Sequence, residues 1–151
     1  MPRFGVSRPV LAISLGLALA GCNDATDPEI QRVIGTIDPS HTVVPVIVAP
    51  DEARAHVPFT VIVHTVGTSD CTKPDGNDLV VLGDVARIVP YDVVPIPGHS
   101  TVCRNDYAFQ EHRLSVTLPR TGAARLRVVG LSASTRQSVL DSVEVTVRIR
   151  G

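Results

Sequence analysis

Cysteine and histidine side chains are the groups in this sequence best suited to bind a metal ion or to form a covalent bond, and the chain has three cysteines and five histidines. The closest grouping is His99-x3-Cys103 followed by Cys103-x8-His112. These spacings differ from the short Cys and His spacings that are typical of structural zinc sites. Metal binding is therefore only a rival interpretation of these residues, and we predict no metal ion or other cofactor.

Carboxylate and amide oxygens are concentrated in a short segment after Pro74, where Asp75, Asn77 and Asp78 surround Gly76. Oxygen ligands of this kind suit calcium, but an EF-hand loop needs a longer ligand series that ends in a glutamate. Proline followed by Asp-Gly is also the normal chemistry of a turn. We therefore interpret residues 75–78 as a turn rather than as a calcium site.

A near match to the nucleophile motif G-x-S-x-G begins at Gly130 and places Ser132 at the nucleophile position. The final glycine is replaced by Ser134. The motif also requires a strand-to-helix turn in an α/β sheet, whereas this segment lies between two predicted strands. We interpret Ser132 as a loop serine and predict no catalytic residue.

The N-terminal stretch has the layout of a secretory signal. Arg3 and Arg8 precede an apolar run from Val10 to Ala20, and about 7–15 apolar residues behind a basic start are typical of such signals. A membrane-spanning helix needs about 20 apolar residues, so this run is too short to be a permanent span.

The end of this run, Leu19-Ala20-Gly21-Cys22, resembles the lipobox of bacterial lipoprotein precursors. The resemblance implies cleavage after Gly21 and acyl chains on the Cys22 thiol and the new amine, which would anchor the protein durably to a membrane. Asn23 resembles the sorting pattern of outer-membrane lipoproteins. We therefore expect a signal peptide at 1–21, a lipidated cysteine and tether at 22–32, and a folded domain at 33–151 exposed in the cell envelope.

Assignment of Cys22 to the lipid leaves Cys71 and Cys103. Two cysteines in an exported chain most simply form one disulfide. Closing a loop of about 33 residues would stabilise the fold by roughly 3–4 kcal/mol in the chain-entropy model.

Charge and aromatic content exclude some partners. The chain has 14 Lys and Arg residues against 15 Asp and Glu residues, and only 3% of its residues are aromatic. Nucleic-acid binding requires a basic stripe, and no basic run occurs, so we predict no nucleic-acid partner. Sugar binding through stacked rings is disfavoured for lack of aromatic residues.

Short β-rich runs separated by turn residues make up the chain after the tether. Three runs alternate apolar and polar residues, HRLSVTL, ARLRVVGL and SVEVTVRIR, as strands with one buried face do. We expect 57–67 to be a central strand, 41–48 to lie at an edge because of Pro45, 51–56 to form at most one helical turn, and 119–124 to form a hairpin-like corner. The predicted strands are 33–37, 41–48, 57–67, 79–82, 84–94, 112–118, 124–131 and 142–150.

About seven short strands with frequent turns predict an all-β, antiparallel β-sandwich. The positions of the two cysteines relative to these strands resemble immunoglobulin-like domains of bacterial surface lipoproteins, which implies such a fold over 33–149. The tryptophan and the Cys–Trp–Cys spacing of true immunoglobulin domains are absent. A small closed barrel is the alternative architecture.

Two long polar segments, 68–78 and 95–111, are predicted to be loops joined by the disulfide. Loops on a rigid scaffold usually carry binding. The expected function is non-catalytic, either binding another envelope protein or assisting envelope assembly, and a small envelope hydrolase and a metal-binding lipoprotein are the alternatives. The candidate binding residues in these loops are Asp75, Asn77, Asp78, His99, Asn105 and Tyr107.

Overall fold

A computed structural model describes residues 30–96, 98, 102–134 and 139–151, which form strands, turns and irregular segments. Two sheets and no helix occur in these residues, so the predicted all-β architecture is confirmed. The signal stretch, Cys22 and His99 lie outside the described residues. The strands are β1 (Ile30–Ile34), β2 (Thr36–Ile37), β3 (Ile47–Val48), β4 (Glu52–Arg54), β5 (Phe59–Ser69), β6 (Lys73–Leu82), β7 (Val85–Pro95), β8 (Asn105–Val116), β9 (Gly122–Ser132) and β10 (Leu140–Arg150).

Sheet A contains seven strands, β1, β2, β4, β6, β7, β9 and β10. β6 and β7 form a hairpin whose two-residue turn begins at Gly83, with φ 64°. This turn lies where the predicted strands 79–82 and 84–94 are separated. β7 and β9 pair in parallel, as do β2 with β9 and β4 with β10. The prediction of a purely antiparallel sandwich is therefore wrong for sheet A. The chain leaves β7 for β8 in the other sheet and then returns, so its direction reverses twice before β9.

Sheet B consists of β3, β5 and β8 in that order, with antiparallel pairing throughout. β5 is central and β3 lies at an edge, as predicted, but β3 is only two residues long. Pro45 precedes it and has no N–H to donate; its carbonyl oxygen instead lies 2.7 Å from His64 Nδ1. The expected strand over 41–48 is therefore mostly an irregular segment.

Two local predictions are wrong. Residues 51–56 contain β4, not a helical turn, because Glu52–Arg54 pair alongside the end of β10 and the Asp51 carbonyl accepts a bond from Arg148 N at 2.9 Å. Of residues 119–124, the first three form a corner between the sheets rather than a hairpin and 122–124 already belong to β9, because β8 belongs to sheet B and β9 to sheet A. Ten strands are present in the described residues instead of about seven, and three of the ten, β2, β3 and β4, have only two or three residues.

The core lies between the two sheets and uses the alternate residues of the long strands. In β10, Val147 and Ile149 are buried while Arg148 and Arg150 are exposed, which matches the faces predicted from the sequence. No helix in the described part of the chain is long and apolar enough to cross a membrane. The largest fully buried apolar side chains include Ile37, Val61, Val63, Ile88, Val116, Leu118, Leu126, Val128 and Val147.

Candidate functional site

A disulfide joins Cys71 to Cys103, with an S–S distance of 2.08 Å and a Cα–Cα distance of 5.7 Å. The predicted pairing is confirmed. Cys71 lies between β5 and β6 and Cys103 leads into β8, so the bond closes one end of the sandwich. Asp70 reinforces it by accepting bonds from Arg104 N at 2.9 Å and Arg104 Nε at 3.0 Å. The hydrogen bond from the Arg104 side chain lowers the pKa of the Asp70 carboxyl.

Possible metal ligands meet at the disulfide, where Asp70, Cys71 and Cys103 form the one group of three found among the described residues. Both sulfur atoms are already bonded to each other. A metal ion needs them as thiolates, so the intact disulfide occupies this potential site. His112, the rival ligand for Cys103, points into the core instead.

The residues predicted to form binding loops lie on strands. Asp75, Asn77 and Asp78 belong to β6, and Asn105 and Tyr107 belong to β8. In β6 the pairing register with β7 shifts between Pro74 and Asn77, and Gly76 has φ 88°. The Pro-Asp-Gly signal thus marks a β-bulge inside a strand, since a bulge also favours glycine at positive φ.

An exposed polar network on sheet A includes two of these residues. Asp75 Oδ2 accepts a bond from Arg32 Nε at 2.9 Å, and the Arg32 guanidinium lies 3.8 Å from the ring centroid of Tyr91. The Tyr91 hydroxyl donates to Asp78 Oδ2 at 2.9 Å, and this bond raises the pKa of Tyr91. Asn77 is separate: its Oδ1 is buried without a hydrogen-bond partner among the described atoms.

Tyr107 belongs to a different cluster, on sheet B. Its hydroxyl donates to Asp38 Oδ2 at 3.1 Å, and its ring meets Phe109 edge-on at 5.7 Å. His41 packs on the same phenylalanine at 4.6 Å. Partial burial, followed by the bond to Asp38, raises the pKa of Tyr107. The structure therefore divides the predicted binding residues between two sheets and does not bring them into one site.

A third polar group, which we call the buried cluster, consists of Thr65, Asp92 and His112. The Thr65 hydroxyl donates to Asp92 Oδ1 at 3.2 Å, and His112 Nε2 lies 3.0 Å from that oxygen and 3.0 Å from Thr65 Oγ1. All three residues are at most 2% exposed. The cluster links β7 of sheet A to β5 and β8 of sheet B.

Sequence analysis missed the buried cluster, although a signal was present. Thr65 and His112 occupy inward positions of β5 and β8, where the alternation otherwise places apolar residues. Polar side chains at inward positions predict a buried partner, because an unpaired polar group in a core is costly. The identity of that partner, Asp92, depends on how the sheets face each other.

Gly35 packs directly against Thr65 and Asp92 of the buried cluster. A Cβ atom on this glycine would lie 2.5 Å from Thr65 Cγ2 and 3.0 Å from Asp92 Oδ2. Its N–H donates to the Pro90 carbonyl at 2.9 Å and its carbonyl accepts from Leu131 N at 2.9 Å. The Asp–His–Thr combination has the elements of a nucleophile and a base, but no substrate can reach it while the sheets are packed.

One edge of sheet A, at β6, exposes three apolar side chains. In the described part of the chain β6 pairs only with β7. Leu79, Val80 and Leu82 are 37%, 48% and 72% exposed. We call residues 77–82 the free edge of β6.

The other strands at sheet edges are short or carry charged side chains, as edge strands of native proteins usually do. β1, β3 and β4 have five, two and three residues, and β8 carries the exposed ion pair Glu111–Arg113. The free edge of β6 has none of these protections between Leu79 and Leu82.

Comparison of the chain with family models, with curated proteins and with solved structures finds no match.

Proposed function

We propose that this protein is a bacterial lipoprotein that is anchored to the outer membrane through Cys22 and uses an immunoglobulin-like sandwich to bind another envelope protein without catalysis. The lipobox at Leu19–Cys22 supports the anchor. The Cys71–Cys103 disulfide supports export, because disulfides persist in oxidising compartments. Two facing sheets with a central β5 support the immunoglobulin-like fold, although the parallel pairs in sheet A depart from it.

The observation that carries the binding function is the free edge of β6. An exposed sheet edge accepts an extended peptide as an added strand, with main-chain hydrogen bonds supplying affinity and side-chain contacts supplying specificity. Leu79, Val80 and Leu82 would meet apolar side chains of the added strand. The partner is therefore an extended, apolar, strand-forming segment of another protein.

The backbone of this edge is arranged to accept that strand. Leu82 and Val85 face each other across a two-residue turn, and residues flanking such a turn bond to each other. Because hydrogen-bonded and non-bonded pairs alternate along an antiparallel ladder, the N–H and C=O groups of Leu79 and Val81 point away from β7. These groups are available to a new neighbour.

Site-specific photocrosslinking in intact cells tests the binding function. A photoreactive amino acid replaces Val80, which is 48% exposed on the free edge, and a control chain carries it at Val57, which is 49% exposed in the segment between β4 and β5. We expect a discrete protein adduct from Val80 and none from Val57. Equal adduct patterns at the two positions, or no adduct at Val80, would contradict the proposal.

The anchor has its own test. The mature protein purified from its host membrane is weighed intact. We expect a chain that begins at Cys22 and carries the additional mass of two or three acyl groups. An unmodified mass, or a different first residue, would rule out the lipid anchor while leaving the crosslinking result valid.

A further inference from the structure

The part of the outward face of sheet A that is formed by β4, β7, β9 and β10 carries six arginines. They are Arg54 of β4, Arg87 of β7, Arg125 and Arg127 of β9, and Arg148 and Arg150 of β10, and all six are exposed. Alternate residues of a strand share one face, so these arginines are separated in sequence and meet only in the folded sheet. We call this surface the arginine face.

Like charges are placed directly beside each other on the arginine face. Arg87 is the register partner of Arg127, and Arg150 is the register partner of Arg54. Direct like-charge pairs destabilise a sheet. A depression of about 280 Å³ is lined by Arg87, Arg127 and Ser142. An anion bound there would offset the repulsion between the two guanidinium groups.

Carboxylates only partly neutralise this face. Glu144 lies 2.9 Å from Arg127 and 3.8 Å from Arg125. Glu52 contacts the two arginines of β10, and Asp84 lies 3.9 Å from Arg125. Asp141 belongs to the opposite alternation of β10 but lines the depression beside Arg87 and Arg127, and Asp51 lies just before β4. Six arginines therefore share the arginine face with three carboxylates, and Arg32, Asp75 and Asp78 lie beyond them on the same side of sheet A, in a chain whose formal net charge is −1.

The proposed lipid anchor places this face near a membrane. Between Cys22 and Ile30 the chain can extend at most about 28 Å. β1, where it ends, belongs to the same sheet and pairs with the end of β7 at Pro95. Arg87 lies eight residues back along β7, about 26 Å away in a strand. An anchor at one end of sheet A and arginines at the other would hold its outer face along the bilayer.

We propose that the arginine face docks on the headgroups of anionic phospholipids in the membrane that carries the anchor. The inference rests on the lipid anchor of the proposed function. Guanidinium groups match phosphate oxygens in geometry, and basic residues near an anionic bilayer are attracted within a Debye length. Docking in this orientation leaves the outward N–H and C=O groups of the free edge of β6 directed sideways, parallel to the membrane, while the side chain of Val80, the register partner of Arg87, lies on the docked side.

Crosslinking to lipid tests this orientation with the full, native chain. The acylated protein is reconstituted into vesicles of phosphatidylcholine alone or with about 30% phosphatidylglycerol. A photoreactive residue replaces Thr146, the register partner of Arg125 on the arginine face, or Ser115, an exposed residue on sheet B. We expect about fivefold more lipid adduct at Thr146 when phosphatidylglycerol is present, abolished by high salt, and no such increase at Ser115.

Arginine variants give the matched comparison. Arg87→Gln with Arg148→Gln should reduce the Thr146 adduct to the level seen with phosphatidylcholine alone, whereas Arg113→Gln with Arg120→Gln, outside the arginine face, should not. Equal adducts at Thr146 and Ser115, or yields independent of phosphatidylglycerol, would overturn the docking. Intact mass of the same sample separates the two proposals: an acylated protein without this contact overturns docking alone, and a sample without acyl mass overturns the anchor beneath it.

Discussion

Two polar groups of this domain have similar bond lengths but opposite surroundings. The buried cluster holds Thr65, Asp92 and His112 at 3.0–3.2 Å between the sheets. The network of Arg32, Asp75 and Asp78 with Tyr91 has bonds of 2.9 Å on the surface. Water can replace every bond of the surface network. In the core, loss of one partner leaves the other polar groups buried with neither a protein partner nor water to bond to. Burial rather than distance should therefore decide which group determines stability.

The largest effect is expected from Asp92→Ala. It removes the acceptor shared by Thr65 and His112 and leaves both buried, so we expect a loss of about 3–5 kcal/mol in the free energy of unfolding. Urea denaturation measures it, with Asp75→Ala in the surface network as the matched carboxylate control. Similar losses for the two variants would refute the comparison.

The disulfide at the end of the sandwich ranks second. Cys71→Ser should lower the free energy of unfolding by about 2–4 kcal/mol, since it releases a loop with a sequence separation of 32 residues in the unfolded chain. Calorimetry measures the change. Free Cys103 should then react with a maleimide, and a parent protein that already reacts there would contradict the bond.

Gly35→Ala should cost about 1–3 kcal/mol, because its Cβ would overlap Thr65 Cγ2. Serine at position 65 keeps the hydroxyl but lacks that methyl group. The double variant Gly35→Ala with Thr65→Ser should therefore lose less free energy of unfolding than the sum of the losses of the two single variants. Additive losses in urea denaturation would show that the methyl contact is not the cause.

The smallest effect concerns the surface network, where Asp78 raises the pKa of Tyr91 above 10.0. A raised pKa means that this bond stabilises the fold below pH 10 and is lost as the pH rises through the folded-state pKa. In a Tyr107→Phe background, which leaves one tyrosine, Asp78→Asn should lower the ultraviolet titration midpoint of Tyr91. An unchanged midpoint would mean that the two side chains do not meet in solution.

Local pattern in the sequence was sufficient to find the long strands but not all of their bounds, and the two cysteines that remain after Cys22 predicted the disulfide. β8, β9 and β10 alternate clearly because each has one face in the core. β4 could not be found in this way, because Glu52–Arg54 are extended only where β10 is beside them. An Asp-Gly pair occurs both in turns and in β-bulges, and at Asp75 the pairing of β6 with β7 produces a bulge. Contacts between the sheets, such as Asp92 with His112, have no local signature.

The polar residues near the disulfide show the same limit. Asp78 and Tyr107 were predicted to be binding residues in loops, but each lies on a strand. Their strands extend further than the hydrophobic pattern does, because backbone pairing with β7 and β5 continues after the apolar side chains end. The arginine face was missed for a related reason: its members are never adjacent in the chain.

The bond between Cys71 and Cys103 also makes a covalent ring that contains the whole β6–β7 hairpin. A protease that cuts the tight turn after Gly83 would open this ring without releasing a fragment, since each half stays attached through sulfur. The strand offered to a partner would thus remain on the molecule after a nick, and would be separated only when a reductant accompanies the cut.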